Sequence, residues 1–172
     1  GSTLVDNAMN IGSAGYRFKD LYLSGGAYLG GTAAANALDD YEEGSWTPTL
    51  IPHGGTAPSI STDSIIGYYT KIGRQVSLNF EFDLSAISGT TTGYINISGL
   101  PFNLVTGAGY YPVGSFTNNG INWARTRVGL TFYGADKMGF LSSNNSSGWG
   151  WEQFFALTSS SVLRGSITYY TT

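Results

Sequence analysis

Residues 74–85 read RQVSLNFEFDLS. Val76, Leu78, Phe80, Phe82 and Leu84 take every second position, and Ser77, Asn79, Glu81 and Asp83 fill the places between them. Side chains alternate across a sheet, so this run predicts a strand with one face in a core and the other in water. TRVGLTFYG (126–134) repeats the pattern, with Val128, Leu130 and Phe132 on one side and Arg127, Thr131 and Tyr133 on the other. In VLRGSITYY (162–170), Leu163, Ile167 and Tyr169 share a face. Shorter candidates are SWTPTLI (45–51), GYYTKIG (67–73), YINISG (94–99), YYPVGSF (110–116), KMGFLS (137–142) and WEQFFALT (151–158). Turn compositions separate them: Pro52-His53-Gly54-Gly55, Ser88-Gly89, Thr106-Gly107, Asn118-Asn119-Gly120 and residues 144–148. Short strands at this spacing predict an all-β fold, a jelly-roll-like β-sandwich. No fixed repeat length recurs, which argues against a solenoid.

The totals agree with that reading. Charged residues are 11 % of the 172, against roughly 25 % in an ordinary domain. Glycine contributes 25 residues and tyrosine 12, a turn-rich and aromatic composition typical of extracellular or virion proteins and far from a disordered chain. A net charge of −3 steers nothing toward nucleic acid or an anionic membrane. No apolar run approaches 18 residues, and no signal peptide is visible. Cysteine is absent, so disulfides and thiolate metal sites are excluded. Gly1-Ser2 looks like a cloning remnant, and the chain is expected to be a fragment of a longer protein.

Composition splits the chain in two. Residues 1–43, the expected trimerising arm and linker, hold six acidic and two basic residues, whereas residues 44–172, the expected β-sandwich head, are nearly neutral. Within the arm, residues 16–23 read as a strand: Tyr16, Phe18 and Tyr22 flank Asp20 on one face, while Arg17, Lys19, Leu21 and Leu23 share the other. Neither face is cleanly polar, so both expect neighbours. Three copies wrapped about an axis would supply them, with Arg17 or Lys19 pairing acids across subunits. An edge strand of the same chain's sandwich is the alternative.

NIGSAGYRFKDLYLSGGAYLGG (10–31) followed by DDYEEGSWTPTL (39–50) resembles the distal segment of bacteriophage tail fibre and tailspike proteins. In them a Gly-Ser-x-x-x-Arg-Phe-Lys-Asp-Leu-Tyr-Leu stretch, here 12–23, precedes a Tyr-Glu-Glu-Gly-x-Trp-Thr-Pro segment, here 41–48. GYYTKIGRQVSLNFEF (67–82) and ISGLPFN (97–103) are also similar to that family's domain. The resemblance covers about residues 10–104, and residues 105–172 match in character only. It implies a homotrimeric fibre tip, carried on the virion distal to the rest of the fibre and attaching to a bacterial cell-surface glycan.

Catalytic chemistry finds little purchase. There is a single histidine, His53, whose PHGG setting predicts a solvated turn residue, and no Gly-x-Ser-x-Gly or phosphate-binding loop occurs. Glu81 and Asp83 are close enough for glycoside hydrolysis but are more simply the wet face of a strand, and Asp136 and Glu152 are unpaired in sequence. Asp39, Asp40, Glu42 and Glu43 offer hard oxygen ligands without the ligand order of a calcium loop, so a charge cluster is the simpler reading. The expectation is a non-enzymatic protein with no cofactor and no metal. Asn96-Ile97-Ser98 matches the N-glycosylation pattern, which a bacterially made phage protein would leave bare, and it is read as strand.

Carbohydrate binding is the chemistry that the composition permits. Sugar rings stack on aromatic faces while their hydroxyls bond to amides, guanidinium groups and phenols. Two loops carry both: FTNNGINWART (116–126), with Asn119, Asn122, Trp123 and Arg125, and SSNNSSGWGWEQ (142–153), with Asn144, Asn145, Trp149 and Trp151. Tyr110 and Tyr111 are candidates to join them, and Trp46 is expected in the core.

Overall fold

The computed structural model describes residues 10–89, 92–107, 109–123, 127–143, 148–151 and 157–172. The chain divides into two units, the first ending at Asp39 and the second running from Asp40 to Thr172.

In the first unit, β1 (Ala27–Tyr28) pairs antiparallel with β2 (Ala37–Leu38) around a 3₁₀ turn at Ala34–Asn36. The Leu29 N–H donates to the Asn36 carbonyl at 2.9 Å, closing the loop. Ser13 and Tyr16 form an isolated bridge. The strand expected over residues 16–23 is not formed. A lone strand leaves its backbone donors and acceptors unpaired, and among the described residues of this unit no second stretch of comparable length runs beside it. Its large side chains face outward: Tyr16 is 85 % exposed and Tyr22 90 %, with Phe18, Leu21 and Leu23 also exposed.

The second unit holds β3 (Tyr41–Ser45), β4 (Thr49–His53), β5 (Ser59–Ile72), β6 (Gln75–Ser88), β7 (Tyr94–Ser98), β8 (Val113–Asn119), β9 (Arg127–Phe132), β10 (Met138–Ser143), β11 (Gly150–Trp151) and β12 (Val162–Tyr170). All pairings are antiparallel, and one continuous path runs β3-β5-β6-β12-β8-β9-β10-β7-β4, with β11 added beside β10. The sheet curls on itself into two facing layers. The first is β3-β5-β6-β12-β8 and the second is β8-β9-β10-β7-β4. Val76, Leu78, Phe80, Phe82 and Leu84 of β6 are buried in one cluster with Ile95, Ile97, Leu130, Phe132, Met138 and Phe140 of the other layer. Each such side chain contributes about 1.5–3 kcal/mol when fully buried. The all-β expectation and the inward faces of β6, β9 and β12 are as the alternation predicts.

Two crossings join the layers. Residues 41–53 begin as β3 on β5 and end as β4 on β7, turning at Trp46-Thr47-Pro48. The Trp46 N–H donates to the Gly67 carbonyl at 3.0 Å, and its indole N–H donates to Asn79 O at 3.2 Å. A Cβ on Gly67 would lie 2.5 Å from Trp46 O and 2.7 Å from its Nε1, so this corner needs a residue without a side chain. Opposite it, β8 pairs β9 through Val113-Gly114 and β12 through Ser115–Asn119. There a Cβ on Gly114 would stand 2.5 Å from Ser166 O. Corners made by strands that change layers are a known way of closing a sandwich.

Several polar groups around the core and its edge are paired. The Tyr169 hydroxyl donates to Phe102 O at 2.6 Å, and burial pushes its pKa far up, so it stays a neutral donor. Lys71 is buried, pairs with Asp40, and lies 5.3 Å over the Phe102 ring. Glu42 accepts from Tyr69 and Glu43 accepts from Tyr41 at 2.8 Å. Three of the four acids in the linker are thus occupied by separate partners, as a charge cluster requires.

Candidate functional site

The outer face of the second layer is unusually low. In β9 the inward residues are Val128, Leu130 and Phe132, which leaves Gly129 and Thr131 outside; in β10 the outward residues include Gly139 and Leu141. The Thr131 hydroxyl is held down by donating to Pro112 O at 2.8 Å. Aromatic side chains rise around this floor. Tyr111, Val113, Trp149 and Trp151 stand over Gly129, Thr131 and Leu141 to enclose a groove of about 360 Å³. Trp149 is 70 % exposed and Tyr111 78 %, the posture of side chains that offer their faces to something.

Trp151 is braced. Its strand β11 pairs Leu141 with Trp151, and the Ser142 hydroxyl donates to Gly150 O at 3.0 Å. Tyr133 meets the indole edge-on at 4.9 Å, and the Tyr133 hydroxyl lies 2.6 Å from His53 Nε2. His53 is therefore not the solvated turn residue expected from PHGG. It ends β4, is half-buried, pairs with Tyr94 and backs the groove's aromatic wall. Pro52 is itself part of β4, and only Gly54-Gly55 behind His53 belong to the turn, where the strand stops.

The predicted sugar-binding residues go to different places. Tyr111, Trp149 and Trp151 converge on the groove. Tyr110, its neighbour in sequence, turns the other way, stacking on Tyr170 at 5.6 Å and accepting the Tyr170 N–H at 2.8 Å. Trp123 is half-buried against Phe116 and Phe140 at 5.5 and 5.2 Å, and its indole N–H donates to Asn118 at 3.0 Å. Asn119 and Asn122 are exposed near it. Arg125, Asn144, Asn145 and Glu152 lie outside the described residues. The groove's floor went unnoticed in the sequence, although one signal was there: Gly129 takes a wet-face position in a clean strand, where a missing side chain leaves space.

The outer face of the first layer is a different surface. Glu81 and Arg164 pair at 2.5 Å across β6 and β12, and the pairing raises the guanidinium's pKa further. Ser77 bonds Thr168 at 3.0 Å and Ser115 bonds Ser166 at 3.2 Å. Glu81 and Asp83 share the partly exposed side of β6, as predicted, and Glu81 is occupied by an arginine. Asp136 is bonded to Lys137 at 2.5 Å, which lowers its pKa. Among the described residues no three metal-ligating side chains cluster, and no helix is long and apolar enough to cross a membrane. Among the described residues no carboxylate, histidine or lysine lines the groove, and its aromatic walls suit the neutral face of a ring.

No protein-family profile matches the chain, and no curated protein matches it. A solved tailspike has its fold. The chain superposes on the crystal structure of the Dettilon tailspike protein (gp208) with a TM-score of 0.53 over 74 % of its length, at 19 % identity. It spans 23 % of that tailspike's chain. At this identity the likeness to the tailspike is one of architecture. Three of the four quoted tail-fibre motifs are scaffold here as well: 41–48 is β3 and the Trp46 corner, 67–82 is the β5–β6 turn and ladder, and 97–103 leaves β7. None of them lines the groove.

Proposed function

We propose that this chain is a non-enzymatic receptor-binding domain of a phage tail fibre or tailspike, attaching to bacterial surface polysaccharide as a homotrimer. The observation that carries the reading is the groove, with three aromatic side chains over a floor of small residues on a tailspike-like sandwich. The exposed Tyr16, Phe18, Leu21, Tyr22 and Leu23 of the first unit support threefold association, since a row of such side chains is stable in water only when another surface covers it. Receptor contacts of modest strength then become effective because three heads act together.

Immobilised polysaccharide from the host should retain the chain and release no new reducing ends on prolonged incubation. Retention with steady release of reducing ends would make it a depolymerase instead. A second reading, a structural domain that only holds the fibre together, is favoured by one surface. Tyr41, Ile66, Tyr68, Ile72 and Tyr170 are all exposed on the outer face of the first layer, apolar side chains beside the Glu81–Arg164 pair that would suit another copy of the chain. Light scattering bears on both readings: the expected mass is three times the 18.3 kDa of one chain, falling when the chain is shortened to begin at Asp40. A full-length monomer would rule out the trimer.

A further inference from the structure

Asn96 is fully buried in β7, and among the described residues neither its Nδ2 nor its Oδ1 has a hydrogen-bond partner. Leaving a buried donor and acceptor unpaired destabilises the fold, and leucine of similar size would avoid it. The position is not in the core. Asn96 pairs with Gly139, which pairs with Thr131, so all three share the outer face that floors the groove. At the point where a Gly139 Cβ would stand, Asn96 Oδ1 is 2.9 Å away and the Trp151 ring carbon Cζ3 is 3.0 Å away. Trp151 therefore belongs to both places: it lines the groove, and its ring edge rests over Gly139 against the amide. Its backbone is tied to β10 through β11, so uncovering the amide requires that the indole leave its edge contact with Tyr133 by rotating about its side-chain torsions while the strand stays in place.

We propose that Asn96 is the polar end of the groove and reads the acetamido group of an N-acetylhexosamine, exposed to ligand when Trp151 turns off Gly139. This rests on the carbohydrate-binding reading above. A primary amide offers one acceptor and two donors, and an acetamido group, whose trans amide points its N–H and carbonyl to opposite sides, engages it at one end: the ligand's N–H donates to Oδ1, or its acetyl carbonyl accepts from Nδ2. The methyl group of the acetamide meets Trp151, and the sugar ring lies along Trp149 and Tyr111. A plain hexose can lay its ring in the same groove and offer the amide a hydroxyl, but it has no methyl group to set against the Trp151 ring, and that apolar contact separates the two series.

The test uses the full chain, its Asn96→Leu and Trp149→Ala variants, and immobilised oligosaccharides of N-acetylglucosamine, of N-acetylgalactosamine and of the corresponding hexoses. Unsubstituted chain is expected to bind an N-acetylated series at least tenfold more tightly than its hexose counterpart. Asn96→Leu should melt at a higher temperature and lose that preference, falling to the hexose level, while Trp149→Ala loses both. A higher melting temperature with the preference intact would overturn the proposal, because the amide would then be only a flaw in packing. A lower melting temperature for Asn96→Leu would also overturn it, since the amide would be a satisfied structural group. Equal binding of N-acetylated and plain series would sink the acetamido reading and leave the receptor-binding one standing. No binding to any sugar of the panel, or to host polysaccharide, would remove the receptor-binding reading itself.

Discussion

Replacing Gly67 by valine is expected to lower the melting temperature by roughly 10 °C, the size of change that about 3 kcal/mol produces in a domain of this length. The reason lies at the corner between β3 and β4. A Cβ on residue 67 would stand 2.5 Å from the Trp46 carbonyl oxygen and 2.8 Å from its Cδ1. Those atoms cannot withdraw freely. The Trp46 N–H is bonded to the Gly67 carbonyl, its indole N–H to Asn79 O, and the ring is buried in the shared core. Relief therefore requires moving the crossing itself, which strips β3 from β5 or lifts the indole out. Gly107, with nothing within 4 Å of its Cβ position and no left-handed φ, is the control. Gly107→Ala should change the melting temperature by a degree or two at most. Thermal melts of the two variants decide it, and equal stability would mean that the corner is not a constraint.

Trp149→Ala is expected to abolish attachment while sparing the fold. The side chain is 70 % exposed, so its loss should shift the melting temperature by no more than about 2 °C. A stacking aromatic at the centre of a site is worth on the order of 2 kcal/mol, or about thirtyfold per head. In the proposed trimer three heads multiply the deficit, and a hundredfold or greater fall in adsorption to host cells is the expected result. Trp123→Ala is the instructive comparison. Because Trp123 packs on Phe116 and Phe140, its removal should cost about 3 kcal/mol of stability and act on binding only through unfolding. Attachment unchanged in a folded Trp149→Ala chain would hand the function to another surface and favour the structural reading.

Much of the architecture was legible because it rests on alternation. Val76 to Leu84 announce β6 by period two, and β9 and β12 follow the same rule with fewer residues. The first half of β5 was not legible. Residues 59–66 read SISTDSII, where Ser, Thr and Asp carry no inside–outside contrast, and register shifts at Ser61/Thr62 and Thr62/Ser64 break whatever period there is. Residues 16–23 had the opposite fault. Their aromatics and leucines carry strand propensity, but propensity makes no ladder without a partner. The candidate site was legible by residue type and not by location. Tyr110 and Tyr111 are adjacent in sequence yet point to opposite sides of the strand entry, and only pairing geometry shows which of them meets Trp149. Asn96 gave no signal beyond an isoleucine on either side, the mark of a residue taken inward on a strand's second face.

The order of strands has a consequence for how the protein is made. β12 follows all the other strands and lies between β6 and β8, bonded to β6 along its whole length and to β8 over Val162–Ser166. While synthesis proceeds, at about 5–20 residues per second, β6 holds only half its partners and β8 has no neighbour on its β12 side. The inner faces of both, including Phe80, Phe82 and Phe116, must stay uncovered for that interval. Long-range pairing of this kind is slow to form and prone to capture by other chains. On one message, the nearest other chains are newborn copies of the same sequence, so the delay that exposes these strands to error also sets identical chains beside one another.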